Sequence, residues 1–119
     1  MTAPKPYTHM TADDVRELAT ITFDIYDHHN WSFFHKHMRV VLLLTMFANL
    51  EQSDDAAYPT IPRNIKRLAE QASVRQPFAV KFITWLTERG YIVRVTPTIA
   101  AFAWHVKAAD TGAGGDNQS

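Results

Sequence analysis

The 119-residue chain contains no cysteine, so it has no disulfide bond, no thiolate ligand for zinc and no cysteine nucleophile. It also lacks a run of about 18 apolar residues, which a membrane-spanning helix needs. Its first ten residues hold two prolines and no apolar stretch of the kind found in signal peptides. We therefore expect a soluble, cytoplasmic protein without membrane contact.

Sequence motifs of catalysis are missing as well. The chain has no glycine-rich loop that would cradle a phosphate and no nucleophile elbow. No pair of carboxylates falls on one helix face in an apolar setting. The sequence thus predicts a protein that is not an enzyme and that uses no cofactor.

The net charge is zero, but the charges are unevenly distributed. Residues 1–61 carry 4 basic and 8 acidic side chains, whereas residues 62–94 carry 7 basic and 2 acidic ones. Residues 95–119 have a net charge of −1. Because an electrostatic footprint is local, the positive field belongs to residues 62–94, which makes that segment the candidate for an anionic partner.

The first half of the chain predicts two helices after a flexible arm at residues 1–10, with packing of Tyr7 and Met10 back onto the domain as the alternative for that arm. Thr11 is a hydroxyl N-cap followed by two carboxylates, and apolar residues recur at helical spacing to about His28. A second helix is expected at residues 33–50. Because it is apolar nearly all round, other helices or a second subunit must cover it on more than one side, which favours a homodimer.

The basic segment predicts two short helices joined by a turn. Pro62 suits the first turn of a helix that ends near Ala72. The next helix is expected at residues 76–89, again with a proline in its first turn, and Gly90 ends it as a C-terminal cap. Two short helices with a tight turn between them are typical of a helix-turn-helix.

A β-hairpin should follow this motif. Residues 91–95 alternate in polarity and are rich in β-branched side chains. A turn at residues 96–98 interrupts the pattern, and residues 99–106 are expected to return as the partner strand. Residues 108–119, which are rich in Gly, Asp and Asn, predict a disordered tail. The chain is therefore one domain, mainly α with a small β-hairpin.

The run of residues 68–94 resembles the core of the MarR-type winged helix-turn-helix transcriptional regulators, with no residue inserted or deleted. The matching positions are an opening Leu-Ala pair, an apolar turn residue, a leucine that anchors the second helix, and a Gly-aromatic-Ile/Val-x-Arg run that begins the wing: Leu68, Ala69, Val74, Leu86, Gly90, Tyr91, Ile92, Val93 and Arg94. The resemblance implies a winged-helix domain over residues 11–107, with the helix-turn-helix at about 62–89 and the wing at about 91–106.

Each of these positions has a physical role. The two helices of such a motif cross steeply around a small core, so the residues beneath the turn should interlock, namely Ala69, Val74, Ala79, Phe82, Ile83 and Leu86. Gly90 should adopt a positive φ where the chain reverses from helix into strand.

The resemblance implies binding to double-stranded DNA, with the second helix of the motif in the major groove. Its outward residues would then touch bases and phosphates: Arg75, Gln76, Pro77, Val80, Lys81 and Thr84. The first helix would cross the phosphate backbone and contribute Arg63, Asn64, Lys66 and Arg67. Arg94 in the first wing strand would contact phosphate or pair with an acidic residue of the first helix. The predicted function is a sequence-specific transcriptional regulator that blocks or recruits polymerase.

A protein–protein interaction module with weak or no DNA binding is the alternative. Phe78 and Val80 would give the second helix an unusually apolar surface. If both are exposed with little positive potential around them, the interaction module is favoured. If Phe78 turns inward and the basic residues share one face, DNA binding is favoured.

Four histidines within ten residues raise the further question of a metal site: His28, His29, His35 and His37. His35 and His37 are two residues apart, so on a helix they point in different directions, and no His-Glu-x-x-His motif occurs. We predict no metal and interpret the cluster as a polar turn between helices, with a pH-sensitive surface as another alternative. The resemblance leaves room for a small-molecule or protein effector.

Overall fold

The computed structural model describes residues 4–54 and 56–112. Within these residues the fold is mainly α, with five helices and a small amount of antiparallel sheet. None of the helices described is both long enough and apolar enough to cross a membrane. In chain order the elements are β1 Lys5–Pro6, α1 Ala12–Tyr26, α2 Phe33–Ala48, β2 Glu51–Gln52, β3 Ile61–Pro62, α3 Ile65–Ala72, α4 Gln76–Glu88, β4 Ile92–Thr96, β5 Ile99–Phe102 and α5 Ala103–Gly112.

Side-chain caps begin the first two helices close to the predicted positions. The Thr11 hydroxyl accepts a hydrogen bond from the Asp14 amide, and the Asp14 carboxylate accepts one from the Thr11 amide, which forms a capping box. Ser32 caps α2 by accepting from the His35 amide at 3.2 Å. These bonds satisfy amides that the helix itself leaves unpaired.

Helices α3 and α4 meet at a tight turn over a shared core. Ser73 ends α3 in the left-handed conformation at φ 58°, and the Val74 amide bonds back to the Ala69 carbonyl at 2.9 Å. Of the six residues predicted beneath the turn, Val74 is partly buried and the other five are buried, which confirms the expected packing: Ala69, Ala79, Phe82, Ile83 and Leu86.

The hairpin follows α4 directly. Gly90 has the expected positive φ, at 80°. Strands β4 and β5 are antiparallel, with Ile92 opposite Phe102, and β3 adds to the other side of β5, so the sheet order is β3-β5-β4. In chain order, α3 and α4 therefore fall between β3 and β4, the two outer strands of this small sheet.

The predicted second strand of the hairpin was too long. It ends at Phe102 instead of Val106, because the next residues form α5. In that helix both Trp104 Nε1 and His105 Nε2 reach the Asp14 carboxylate of α1. Residues 108–112, predicted to be part of a disordered tail, belong to α5, and residues 113–119 lie outside the described residues.

The first ten residues are not a loose arm over the part that the structure describes. Lys5 and Pro6 pair with β2, and the Tyr7 amide donates to the Leu50 carbonyl at 3.0 Å. The Tyr7 hydroxyl also donates to the Asp14 carboxylate at 2.7 Å. These bonds attach the segment to both α1 and the end of α2.

The start of the first motif helix was also placed too early. Pro62 lies in β3, and α3 begins only at Ile65. Asn64 is its N-cap, since its side-chain oxygen accepts from the Arg67 amide at 3.1 Å. Arg63 therefore precedes the helix.

Candidate nucleic-acid interface

Helix α4 has one buried side and one open side. Ala79, Phe82, Ile83 and Leu86 face the core. The predicted contact residues of this helix recur on the opposite side at spacings of three and four residues, and all of them are exposed: Gln76, Pro77, Val80, Lys81 and Thr84. No described element covers that side, so its side chains are available to a partner.

An open groove of about 900 Å³ runs between this side of α4 and α3. Its cationic side chains are Lys66 from α3, Arg75 from the turn and Lys81 from α4. The remaining lining residues are the carboxylate Glu70, the amide Gln76 and four apolar side chains: Ala69, Val74, Pro77 and Val80. The groove is thus a mainly apolar surface edged by positive charge.

A second, smaller crevice lies at the other end of α4, beside the hairpin. It has a volume of about 160 Å³ and includes Thr84, Arg63 and Arg94 in its lining. The Arg63 Nη1 donates to the Pro97 carbonyl at the hairpin turn at 3.0 Å, and the Arg63 amide donates to the Thr98 carbonyl. Arg63 thus fixes the turn of the hairpin. It was predicted to lie on the first helix of the motif, but it precedes α3.

The groove and the crevice are together lined by nine of the eleven predicted contact residues. Asn64 and Arg67, at the first turn of α3, line neither of them. The Asn64 side-chain oxygen is already engaged as the helix cap, so only its amide nitrogen is free to meet a phosphate. The sequence had not suggested the acidic neighbours Glu70 in the groove and Glu88 in the crevice.

The positive charges of this surface are unneutralised. Among residues 4–54 and 56–112, six basic side chains are exposed and make no hydrogen bond or ion pair; one is Lys5, and the other five belong to this surface: Lys66, Arg67, Arg75, Lys81 and Arg94. The basic residues of α1 and α2 differ, since Arg16 pairs with Asp13 and Lys36 donates to the Tyr26 carbonyl. Unpaired, solvated cations lose little on meeting phosphates, because no internal partner has to be given up.

Phe78 turns away from the open side of α4. It is half-buried against α2, where the Arg39 guanidinium lies 4.6 Å from its ring centroid and the His35 ring lies 5.9 Å away. On its other side the Arg39 guanidinium lies 3.8 Å from the ring of Trp31. Burial in this stack lowers the pKa of Arg39 from its ordinary value. Val80, by contrast, stays 47% exposed.

The far end of α4 is tied to α1 by Asp24. The Arg89 guanidinium donates to both carboxylate oxygens, and the Tyr91 hydroxyl donates at 2.6 Å. Burial opposes ionisation of Asp24, but the hydrogen bonds from Arg89 and Tyr91 outweigh it and lower its pKa. The alternative prediction that Arg94 pairs with an acidic residue of the first helix is wrong: Asp24 is bound by Arg89 and Tyr91, and Arg94 makes no ion pair within residues 4–54 and 56–112.

Two of the four clustered histidines pack against aromatic rings and do not point towards a common metal site. The His28 ring stacks on Trp31 at 3.8 Å, and the His35 ring lies against Phe34 and Phe78. Over residues 4–54 and 56–112, no group of three or more metal-ligating side chains converges.

Comparison with protein-family models, curated proteins and solved structures finds no match to this chain. The MarR-type resemblance therefore depends on the residues of the segment 68–94.

Proposed function

We propose that the chain is a sequence-specific, double-stranded DNA-binding transcriptional regulator of the winged helix-turn-helix class. In this proposal α3 and α4 are the helix-turn-helix, β4 and β5 form the wing, and α4 enters the major groove. The protein regulates by occupying DNA, and it neither catalyses a reaction nor needs a cofactor.

The topology supports the class. A winged helix requires a strand, two crossed helices and a hairpin whose second strand pairs with the first strand. Here β3 precedes α3, β4 and β5 follow α4, and β5 pairs with both β3 and β4. Gly90 and the hydrogen bond from Tyr91 to Asp24 fix the angle at which the hairpin leaves α4.

The observation that carries the function is the set of unpaired cations around an uncovered helix face. Lys66, Arg75 and Lys81 line the groove between α3 and α4, Arg94 lines the crevice at the other end of α4, and Arg67 lies in the first turn of α3. Phosphate backbones flank a major groove on both sides, so a reading helix needs positive charge on both of its flanks.

Direct readout would fall to the uncharged residues of the same face. The Gln76 side chain is suited to hydrogen-bonding an adenine edge, and Val80 to contacting a thymine methyl group. Arg75 at the start of α4 would read guanine or bind phosphate. These contacts supply specificity, whereas the lysines supply affinity.

Fluorescence anisotropy of a labelled mixed-sequence duplex, titrated at several salt concentrations, tests the proposal. Binding should weaken steeply with salt, and Lys66→Ala/Lys81→Ala should make the slope of log K against log salt shallower by about 1 to 2 units. The matched control Lys5→Ala/Arg16→Ala removes two exposed charges elsewhere and should keep the slope. Absence of binding at low salt would refute the proposal.

The alternative, a protein-binding module, is favoured by one observation. Ala69, Val74, Pro77 and Val80 make the groove between α3 and α4 largely apolar. The inward position of Phe78 reduces that surface and supports DNA binding over the alternative. A chain that showed no salt-dependent DNA affinity while retaining its fold would favour the module.

A further inference from the structure

A cavity of about 620 Å³ lies between the segment around Tyr7, the first turns of α1, residues 57–59 and α5. Its volume is within the range of about 300–1,000 Å³ that is usual for small-molecule sites. It shares no lining residue with the groove or the crevice beside α4, and none of the eleven predicted DNA-contact residues lines it. This cavity, which we name the α1/α5 cavity, is therefore separate from the candidate nucleic-acid interface.

Three aromatic side chains line the α1/α5 cavity, and all three are half-buried: Tyr7, Tyr58 and Trp104. Tyr7 and Trp104 are fixed because both donate to the Asp14 carboxylate, at 2.7 and 2.8 Å. Trp104 also stacks on Phe102, with the ring centroids 4.5 Å apart. Aromatic rings pack well against apolar groups and attract cations through their faces, so the cavity suits a ligand that has both.

The charged groups of the lining are mainly acidic: Asp13, Asp14, Glu17 and Lys107. Asp13 pairs with Arg16 at the surface, and Asp14 accepts four hydrogen bonds from within the fold. The half-buried Glu17 carboxylate differs, because it makes no hydrogen bond or ion pair with any residue in the ranges 4–54 and 56–112. A carboxylate that is partly withdrawn from water gains most from a cationic partner.

Two neutral acceptors of the lining are also unengaged. The Tyr58 hydroxyl makes no hydrogen bond to the described residues, and the buried His105 has no partner there for its Nδ1. The His105 Nε2 lies 2.6 Å from the Asp14 carboxylate, which only accepts, so Nε2 carries a hydrogen. In the neutral ring Nδ1 is then an acceptor. A buried acceptor without a partner is unfavourable, and a donor group in the cavity would relieve it.

We propose that the α1/α5 cavity binds a small organic cation, a primary ammonium group carried on an aromatic body. An ammonium group has three N–H donors and no acceptor, and the lining has three unengaged acceptors: Glu17, Tyr58 and His105 Nδ1. The aromatic body packs on the three aromatic side chains of the cavity. A carboxylate ligand of the same shape is disfavoured, because it meets Glu17 with like charge. The site does not depend on DNA binding, since it lies outside the surface proposed for DNA.

Nuclear magnetic resonance titration of the full chain with three probes of one shape tests this inference. Phenethylamine is the cation, phenethyl alcohol is the neutral probe and hydrocinnamate is the anion. The signal to follow is the indole N–H of Trp104, which Trp104→Phe assigns, and the indoles of Trp31 and Trp85 outside the cavity are internal controls. Phenethylamine should shift the Trp104 signal to saturation, and the other two probes should bind at least about tenfold more weakly.

Two variants test the assigned acceptors. Glu17→Gln keeps the size of the side chain and should raise the dissociation constant of phenethylamine about tenfold, without changing that of phenethyl alcohol. Glu88→Gln, which removes an exposed carboxylate outside the cavity, is the matched control and should change neither. Tyr58→Phe should weaken amine binding by about fivefold. His105 is kept, because its bond to Asp14 belongs to the fold, and its Nδ1 resonance should move with the amine titration.

Three results would overturn the inference. The first is equal affinity for the three probes, or tighter binding of hydrocinnamate. The second is a Glu17→Gln variant that binds phenethylamine as tightly as the wild type does. The third is the absence of a saturable shift at Trp104. An Nδ1 resonance that stays unchanged at saturation would overturn the role assigned to His105. DNA affinity enters none of these results, so they leave the proposed function to its own test.

Discussion

Asp14 and His105, which are 91 residues apart in the chain, are in direct contact: the His105 Nε2 lies 2.6 Å from Asp14 Oδ1. Both side chains are buried. Trp104 Nε1 donates to the same oxygen at 2.8 Å, and the Tyr7 hydroxyl donates to the other. One carboxylate thus joins the N-terminal segment, α1 and α5.

Asp14→Asn should destabilise the fold. The amide is a weaker acceptor than a carboxylate and turns an NH₂ group towards one set of donors, leaving buried partners unsatisfied. We expect a loss of about 2–4 kcal/mol in the free energy of unfolding, measured by urea denaturation. Asp13→Asn, at the exposed neighbouring position, should change it by less than about 0.5 kcal/mol. Equal effects of the two variants would contradict this account.

The same carboxylate predicts loss of stability in acid. Burial alone would raise the pKa of Asp14, but the hydrogen bonds from Thr11, Trp104, Tyr7 and His105 outweigh it and lower the pKa from 3.8 to about 2. A lowered pKa means that the stabilisation is present above pH 3.8 and is lost as the pH falls through about 2.

Urea denaturation between neutral pH and pH 2 measures this acid loss. Asp14 should contribute about 2 kcal/mol to it. Asp14→Asn should be less stable at neutral pH and should lose less on acidification. If wild type and variant lose the same amount, other carboxylates account for the acid sensitivity.

Two tyrosine hydroxyls predict an alkaline transition. Burial and the hydrogen bond to Asp14 raise the pKa of Tyr7 to about 12, and burial and the bond to Asp24 raise that of Tyr91 to about 12. A raised pKa means that this stabilisation is complete below pH 10 and is lost as the pH rises through 12. Ultraviolet titration should show both phenols ionising near pH 12, and Tyr91→Phe should remove one of them. Ionisation of either phenol near pH 10 would contradict its hydrogen bond to the carboxylate.

Much of the fold was predictable because its signals are local. Caps and apolar periodicity located α1, α2 and α4, and Gly90 located the reversal into β4. The start of α3 has a local signal too, since Asn64 is a good N-cap, whereas the prediction began the helix at Pro62. The strand predicted at residues 99–106 was too long, because a short apolar run fits a strand and a helix equally well.

The candidate site was predictable in composition but not in arrangement. The basic residues and the open side of α4 follow from charge and spacing. That Arg63 binds the hairpin turn, and that Phe78 turns towards Arg39, depend on contacts between distant segments. The bonds of Asp14 to Trp104 and His105 have no local signal, because these partners are 90 and 91 residues away.

The stack of Arg39 between Trp31 and Phe78 should support the position of α4. Arg39→Ala removes the cation from both rings and the packing of its aliphatic stem, and should cost about 1–2 kcal/mol in the free energy of unfolding. Arg16→Ala, which removes an exposed arginine paired only with Asp13, should cost less than about 0.5 kcal/mol. Chemical denaturation of the two variants measures both costs. If Arg39→Ala leaves the free energy of unfolding unchanged, α4 does not depend on the stack.

Val80 offers a sharper comparison, because it is half-exposed at the centre of the proposed reading face. If that face meets DNA, Val80→Lys should bind a mixed-sequence duplex more tightly, with a salt slope steeper by about 1, whereas Val80→Glu should bind more weakly through repulsion of phosphates. Val80→Ala is the uncharged control and should leave non-specific affinity nearly unchanged. Because the residue is not buried, all three variants should unfold at similar urea concentrations. Identical anisotropy curves for the Lys and Glu variants would mean that DNA does not approach this side of α4, and would move the apolar groove to the protein-binding alternative.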